Sequence, residues 1–347
     1  MLKIVHVSNF GLKPKGNFQH SVSHKISNGL IRNGHFVSNF SDRDVARSKS
    51  ILGSKVLGTH YVNKALFDFC CHIQPDILIL GHVDIIKSKT LSQIRQSNPS
   101  IKILQWTGDL LLSPQQINNL SSKFSVVDAT LLTMSGSPLA AIGKLTPGFV
   151  GFLPVPVDFS VESGRNHEKI LPYDLFYACS SPAGPRHICD EYWLPEKLFQ
   201  QIERCIPEIR LNLTGLRGAP SLVGGRYQQA LESAAIGLNM SARNDCPLYT
   251  SDRLAHICGN GQAVLIDRAT GYDRFFNDSE FAFFSTIDEM IEKTRRLVMD
   301  TPHRQALAKA GRAKYHELFN EQLIAKYIID VAMGNLKEHD YPWPTSY

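Results

Sequence analysis

The chain has 347 residues, of which 43% are apolar and 20% are charged, and its formal net charge is +5. This length suits two domains of ordinary size, and the composition is typical of a globular protein. No run approaches the roughly 18 consecutive apolar residues of a membrane span. The small, dispersed positive charge argues against a nucleic-acid-binding protein.

The cysteines and the amino-terminal residues bear on the cellular compartment. Seven cysteines, without a CxxC pair, favour a reducing environment over a disulfide framework. The first residues lead directly into an apolar run, without the basic start and the small-residue cleavage site of a signal peptide. We therefore expect a cytoplasmic protein. Its positive charge is compatible with peripheral contact with the inner face of a membrane.

Short apolar runs alternate with helical patterns through the first half of the chain. Strands are predicted at residues 2–7, 35–40, 76–80, 101–105 and 129–133. A helix with an i, i+4 apolar stripe is predicted from residue 18 to residue 30, and Gly34 ends it. The run DILIL (76–80) is nearly continuous in apolar residues, which is typical of parallel strands covered on both faces.

The pattern changes at residues 147–158 (PGFVGFLPVPVD), because three prolines and an apolar run indicate a strand that leads into a stiff connection. A second α/β series follows, with strands predicted at 174–179, 209–213, 236–240 and 263–266 and helices at 193–205 and 227–234. The tail is predicted to be helical at 287–299, 302–319 and 322–336. We therefore predict an α/β protein with two domains and a ligand site in the cleft between them.

Residues 236–276 are the most informative segment. They contain a buried strand, a polar loop, a helix predicted to open at residues 250–252, and a second buried strand. Polar side chains gather where the first strand ends and the helix begins, which is where ligands bind in an open α/β sheet. The free N–H groups of a helix N-terminus suit a phosphate. An ordinary βαβ unit, with Thr250 or Ser251 capping the helix, is the alternative.

Three segments resemble the group 1 glycosyltransferases of the GT-B fold. RNGHFV (32–37) is similar to the "rGHeV" that ends their first helix, and FLPVPVD (152–158) to the "lPvpvD" that leads into their donor domain. SDRLAHICGNGQAVLIDRATGYDRFF (251–276) is similar to their donor helix and the strand and turn after it. The resemblance implies two Rossmann-like domains facing a central cleft, at residues 1–155 and 156–319. It also implies a carboxyl-terminal helix, at about residues 320–347, that packs back on the first domain.

The resemblance further implies metal-independent transfer of a sugar from a nucleotide-sugar to a glycan or lipid-linked acceptor. Cell-surface polysaccharide or lipopolysaccharide synthesis is the expected setting, and the nucleotide-sugar is a co-substrate, without a further cofactor. Many retaining members carry two glutamates eight residues apart, and Leu248 and His256 occupy those positions here. A divergent subfamily with a different donor is compatible with this departure. Two alternatives stay open: a UDP-sugar 2-epimerase on the same fold, and a non-catalytic glycan- or nucleotide-binding protein.

A nucleotide-sugar carries two phosphates, so its site needs cationic and N–H partners. Arginine suits this role through its bidentate fork. Three arginines follow strands or open a helix at one predicted sheet edge: Arg186, Arg217 and Arg253. The other predicted donor-binding residues are Thr214, Gly215, Tyr249, Ser251, Asp252 and His256. Solvated surface arginines and a plain glycine-containing loop are the alternatives.

The predicted acceptor side lies in the first half. Asp109, in QWTGD after a predicted strand, is placed to accept a proton while Trp106 stacks on a sugar ring. The resemblance places His20 within about one position of the base histidine of inverting relatives. Lys15 and Gly16, with Trp106, are the predicted acceptor contacts. The alternatives are a turn-capping Asp109 and a solvated histidine at the helix start.

No metal site is predicted. His20 and His24 are spaced like a metal-binding pair, but no third ligand follows them.

Overall fold

A computed structural model describes residues 1–11, 20–50, 52–111, 113–180 and 183–345. The chain divides into two compact units, the first formed by Met1–Pro154 with Glu321–Tyr347 and the second by Val155–Asn320. Within the described parts of the chain, none of the helices combines the length and the hydropathy that a transmembrane segment requires.

The first unit is built on a six-stranded parallel sheet. Its strands are β1 (Lys3–Ser8), β2 (Phe36–Ser41), β3 (Ile77–Gly81), β4 (Lys102–Thr107), β5 (Ala129–Leu132) and β6 (Phe149–Phe152). Its helices before the carboxyl-terminal segment are α1 (Val22–Arg32), α2 (Asp42–Ser48), α3 (Thr59–Ile73), α4 (Ser88–Ser97), α5 (Pro114–Ser121) and α6 (Ser137–Gly143). The strand order is β2-β1-β3-β4-β5-β6. The order reverses between β1 and β3, and open α/β sheets bind ligands at the carboxyl ends of strands at such a switch point.

The second unit repeats this plan with a five-stranded parallel sheet and a separate hairpin. Its strands are β7 (Tyr173–Ala178), β8 (Arg186–Ile188), β9 (Glu191–Trp193), β10 (Leu211–Thr214), β11 (Ala234–Asn239), β12 (Ala263–Asp267) and β13 (Ala282–Phe284). Its helices are α7 (Pro195–Cys205), α8 (Gly224–Glu232), α9 (Arg253–Gly259), α10 (Ile287–Met299) and α11 (Thr301–Leu318). The sheet order β10-β7-β11-β12-β13 places the switch point between β7 and β11.

The last helix, α12 (Glu321–Met333), belongs to the first unit and lies against α1. A Cβ at Gly29 of α1 would collide with the backbone carbonyl of Glu321, so glycine permits the two helices to approach closely. The side chain of Arg32 also forms an ion pair with Glu321. Beyond the helix, Trp343 packs edge-on against Tyr327 with 5.3 Å between ring centroids. Packing and an ion pair therefore fix the carboxyl-terminal segment on the first unit.

The predicted α/β class with two Rossmann-like domains is confirmed. The apolar run at 76–80 forms β3, shifted by one residue, and the helix predicted at 287–299 coincides with α10. The capping prediction for α9 is wrong. Its N-cap residue is Asp252, without a side-chain capping bond, and the hydroxyl of Thr250 lies 3.3 Å from that of Tyr272 instead.

Candidate functional site

Two arginines of the second unit meet at the switch point between β7 and β11. Arg253, the first residue of α9, donates from Nη1 to the carbonyl of Met240, 2.9 Å away and directly after β11. Its guanidinium carbon lies 4.8 Å from the ring centroid of Tyr177 in β7. Arg186, the first residue of β8, donates from Nη2 to Sγ of Cys179, 3.1 Å away and directly after β7. Two of the three predicted arginines therefore converge on one strand, β7.

Burial and local partners set the charge of this cluster. Burial acts to lower the pKa of Arg186, but the hydroxyl of Tyr177 and the thiol of Cys179 raise it above its ordinary value. Arg186 therefore stays cationic while half-buried. Arg253 is half-buried as well. Guanidinium groups held partly out of water bind phosphate oxygens strongly, because their paired N–H donors match the anion and water screens them less.

Arg217 does not join this cluster. Its Nε donates to Oε1 of Glu196 at 2.9 Å, and its two terminal nitrogens donate to the carboxylate of Glu203, each at 2.8 Å. Both glutamates belong to α7, so this helix neutralises the guanidinium. The structure therefore groups two of the three predicted arginines, and donor binding by them stays a prediction.

Thr214 and Gly215 lie at the same sheet edge, beside Arg186. The carbonyl of Thr214 accepts a hydrogen bond from the backbone N–H of Cys179 at 3.0 Å. Gly215 has a φ of +77°, and a Cβ there would collide with the carbonyl oxygen of Cys179. Glycine is needed here for a left-handed turn and for close approach of two backbone segments. Donor binding by these two residues stays a prediction.

The loop before α9 is packed into the second unit. Tyr249 is buried, and the backbone N–H of Ser251 donates to Oγ of Ser241 at 3.1 Å. The hydroxyl of Ser251 is itself buried and has no hydrogen-bond partner among the described residues. Asp252 is exposed. Because α9 has only seven residues, its dipole contributes little, and the arginine side chains must supply most of the attraction for an anion.

His256 is turned towards the interior of the second unit. Its Nδ1 lies 3.1 Å from the hydroxyl of Tyr227, and its Nε2 lies 3.9 Å from Oε1 of Glu162. Both ring nitrogens therefore face protein groups, which disfavours the predicted contact with the donor. Helix α9 has no glutamate of its own. Glu162, which belongs to a different segment and is fully buried, places a carboxylate beside it.

A pocket of about 210 Å³ lies in the first unit at the carboxyl ends of β3 and β4. The walls combine carboxylates, amides, a guanidinium, an imidazole and an indole with a few apolar groups. The lining residues are Arg43, Leu80, His82, Val83, Asp84, Gln105, Trp106, Thr107, Asp109, Leu111, Gln116, Asn119 and Leu120. Such a mixture can bind sugar hydroxyls through the polar groups. The indole of Trp106 is only 5% exposed, so its predicted stacking on a sugar ring stays a prediction. Two of the predicted acceptor-side residues, Asp109 and Trp106, are therefore brought together.

Sequence reasoning missed His82, which lies beside Asp109. Its Nε2 is 3.5 Å from Oδ2 of Asp109, and its Nδ1 is 3.2 Å from Oγ1 of Thr107. The Thr107 hydroxyl also accepts the backbone N–H of Asp109 at 3.2 Å. The side chains of His82 and Asp109 are 39% and 42% exposed, so a ligand can reach both. Such a pair can take a proton from a hydroxyl, either on the carboxylate or on an imidazole that the carboxylate orients.

The cation of the pocket is already paired. Nε of Arg43 lies 3.3 Å from Oδ1 of Asp84, and Lys55 forms an ion pair with the same carboxylate. Burial acts to raise the pKa of Asp84, but the hydrogen bond from Lys55 and the charge of Arg43 bring it below its ordinary value. Asp84 is therefore ionised and offsets the charge of Arg43.

A buried hydrogen-bond chain through His6 holds Trp106 in place. Its indole N–H donates to Nε2 of His6 at 3.4 Å, and Nδ1 of His6 lies 2.9 Å from Oγ of Ser27. Because His6 accepts from the indole, its own proton sits on Nδ1 and is donated to Ser27. A Cβ at Gly81 would collide with the indole ring, so glycine makes room for it. Burial lowers the pKa of His6 to about 3, which keeps the ring neutral.

This buried histidine predicts a dependence of stability on pH. The unfolded chain protonates His6 near pH 6.5, and the folded chain does so only near pH 3. Between these values the unfolded state binds more protons, so the contribution of His6 to stability falls as the pH is lowered. We expect a loss of about 2 kcal/mol between pH 7 and pH 5 from this residue. Urea denaturation at both pH values measures the total loss.

The matched variant is His6→Gln, whose amide can accept from Trp106 and does not titrate in this range. It should lose less stability than the wild type over the same interval, by the amount that His6 contributes. Equal losses in the two proteins would contradict the assignment.

His20, a further predicted acceptor-side residue, lies away from the pocket. His20 is buried directly before Ser21, the N-cap of α1, and does not line the pocket. Its burial also excludes the solvated histidine considered from the sequence. Lys15 and Gly16 lie outside the described residues. Among the residues that the structure describes, no three histidine, cysteine or carboxylate side chains are grouped so as to hold a metal ion.

Known proteins share this architecture. Residues 186–330 match the family described as glycosyl transferase-like. Sucrose-phosphate synthase from Thermosynechococcus elongatus has a TM-score of 0.60 and 11% identity, over 98% of this chain and 100% of that one. An E. coli structure described as trehalose-6-phosphate bound with UDP-2-fluoro glucose has a TM-score of 0.58 and 13% identity, over 95% and 99%. A putative UDP-N-acetylglucosamine 2-epimerase from Listeria monocytogenes has a TM-score of 0.53 and 10% identity, over 100% and 99%.

These matches differ in what they establish. No curated protein sequence matches the chain. At identities of 10–13% the structural likeness establishes the fold alone. The family match adds the type of domain, and it begins at Arg186, one of the two arginines at the switch point. The predicted GT-B architecture and the predicted likeness to glycosyltransferases are confirmed.

Proposed function

We propose that this protein, which carries a glycosyl transferase-like domain in a GT-B fold, moves a sugar from a nucleotide-sugar donor to a hydroxyl group of an acceptor. The pairing of Arg186 and Arg253 at the switch point of the second unit carries the proposal. A nucleotide-sugar presents a diphosphate, and two guanidinium forks match its oxygens. The two arginines also supply positive charge to the leaving group, so the proposed reaction uses neither a metal nor a further cofactor.

The transfer step follows from the chemistry of these groups. The acceptor hydroxyl gives its proton to Asp109, either directly or through His82, and its oxygen forms a bond to the anomeric carbon of the donor. The bond between that carbon and the diphosphate oxygen breaks, and the nucleoside diphosphate leaves with the electron pair. Negative charge grows on the diphosphate as this happens. Arg186 and Arg253 stabilise it more than they stabilise the intact donor.

The acceptor that fits the first unit is the sugar end of a glycan or of a lipid-linked saccharide. The argument rests on the pocket beside Asp109, where Asp84 offsets the charge of Arg43. Amide and hydroxyl groups are supplied there by Gln105, Thr107, Gln116 and Asn119. A phosphorylated sugar would find no uncommitted cation among the described lining residues. We propose cell-surface polysaccharide or lipopolysaccharide synthesis, on the cytoplasmic side of the membrane, as the setting of this reaction.

Donor binding and product analysis test this function. The purified protein is screened by thermal denaturation against nucleoside diphosphates and nucleotide-sugars, and a ligand at 100 times its dissociation constant should stabilise it by about 2.7 kcal/mol. The stabilising donor is then incubated with candidate saccharide acceptors. We expect release of nucleoside diphosphate that depends on the acceptor. Absence of stabilisation by every nucleotide and nucleotide-sugar would contradict the proposal.

A sugar-nucleotide 2-epimerase is the second candidate, because the whole chain shares its fold with a putative UDP-N-acetylglucosamine 2-epimerase. An epimerase acts on its nucleotide-sugar without an acceptor. Formation of an epimerised sugar in reactions that lack any acceptor would favour this candidate. Acceptor-dependent release of the nucleoside diphosphate would favour transfer.

A further inference from the structure

We propose that an exposed apolar patch on the first unit docks the protein on an anionic lipid bilayer. The patch consists of Leu52, Val56, Leu57 and Tyr61, which are 79%, 68%, 60% and 54% exposed. Single exposed apolar residues are common on protein surfaces, but a group of four within one short segment marks an interaction surface. The segment lies between α2 and the first turn of α3.

The segment that carries the patch is anchored by its small and polar residues. Gly58 approaches α2 so closely that a Cβ there would collide with the carbonyl of Ala46. The backbone N–H of Gly58 donates to the carbonyl of Ser54 at 3.1 Å, and the side chain of Lys55 is drawn inward to Asp84. The apolar side chains of the patch are exposed, whereas the side chain of Lys55 between them is paired. This is the reverse of an ordinary surface segment and leaves apolar area available to a partner.

The charges around the patch indicate the partner. Lys49 and Lys64 are exposed on either side of it, and no aspartate or glutamate occurs between Ser48 and Lys64. His60 is also exposed, with its ring 5.9 Å from that of Tyr61. Apolar side chains that enter the acyl boundary, an aromatic residue at the interface and a basic rim together match an anionic membrane surface.

A second copy of this chain is a poorer partner for the patch. A two-fold interface would place the same patch on both sides, so lysines of like charge would lie close together in a partly desolvated contact. An anionic bilayer accepts the apolar side chains and is attracted by the lysines. Charge therefore selects the membrane over self-association.

The patch is linked to the pocket of the first unit. Asp84, which anchors Lys55, also lines that pocket. A protein docked through the patch would hold the pocket next to the lipid surface, which suits a lipid-linked rather than a soluble acceptor. This choice of acceptor rests on the proposed function, whereas the docking itself does not.

Co-sedimentation with lipid vesicles tests the docking. The wild type should bind vesicles of equimolar phosphatidylcholine and phosphatidylglycerol more tightly than vesicles of phosphatidylcholine alone, and rising ionic strength should release it. The double variant Leu52→Ser with Val56→Ser should bind roughly tenfold more weakly or worse, because it removes apolar groups that enter the bilayer. Lys49→Gln with Lys64→Gln should lose about fivefold for each lysine.

The control variant is Ile170→Ser, which removes a side chain that is 99% exposed in the second unit. It should leave vesicle binding unchanged. Absence of binding by the wild type, or equal binding by the patch variant, would overturn the proposal. A concentration-dependent dimer that the patch variant abolishes would also overturn it and would assign the patch to a second copy.

All substituted positions in this test are exposed, so melting temperatures should stay close to that of the wild type. Stabilisation by the nucleotide-sugar, measured on the same samples, reports on the proposed function independently. A protein that binds donor but not vesicles would refute only the docking.

Discussion

Replacing Arg253 with alanine is expected to weaken binding of the nucleotide-sugar by about tenfold to a hundredfold. The substitution removes one of the two guanidinium groups that meet at Tyr177 and Cys179, and a hydrogen bond to a charged group contributes about 1.5–3 kcal/mol. Arg253→Lys keeps the charge but loses the paired donors and the stacking on Tyr177, so we expect an intermediate loss. Isothermal titration with the stabilising donor measures both effects.

Arg217→Ala is the matched control for this experiment. Its guanidinium is already neutralised by Glu196 and Glu203 of α7, so its removal should change donor affinity by less than about twofold. Comparable losses in the two variants would contradict a two-arginine site and restore the three-arginine site inferred from sequence. Because Arg253 also holds the carbonyl of Met240, melting curves should accompany the titrations.

Replacing Asp109 with asparagine is expected to lower kcat by about 10²- to 10⁴-fold while donor affinity stays unchanged. Asparagine has nearly the same shape, but it cannot take a proton from the acceptor hydroxyl. It also removes the charge beside Nε2 of His82, 3.5 Å away, and therefore the group that would stabilise a protonated imidazole there. Single-turnover kinetics with bound donor separate this loss from changes in binding.

His82→Gln indicates which of the two groups takes the proton. If the imidazole is the base, this variant should lose at least as much activity as Asp109→Asn; if the carboxylate acts directly, it should lose much less. Asp68→Asn, an exposed carboxylate on α3 outside the pocket, is the control. Turnover unchanged in both Asp109→Asn and His82→Gln would refute the assignment of the base to this pocket.

The architecture was largely predictable because hydrophobic periodicity reports burial directly. A nearly continuous apolar run such as residues 76–80 favours a strand covered on both faces, and β3 is buried along its whole length. Helix ends were less predictable. The start of α9 depends on the hydroxyl of Thr250 lying beside Tyr272, a contact between loops that no local propensity encodes.

Part of the candidate site was predictable from the rule that ligands bind at the carboxyl ends of parallel strands. That rule selected Arg186, Arg253, Asp109 and Trp106, and the structure groups them in pairs, one pair in each unit. The same rule applies to His82, two residues after the run 76–80. Tyr177 was not predictable as a contact of arginine, because within its strand it has the pattern of a core residue.

The two α/β units, the strand ends at which chemistry can take place and the likeness to glycosyltransferases can all be read from the amino-acid sequence. The partners of the polar side chains become visible only in the folded chain. Arg217 pairs with two glutamates of α7, and His256 faces Tyr227 and Glu162. Periodicity reports which face of an element a residue occupies, whereas the partner of a charged group often comes from a distant segment, whose position depends on the fold.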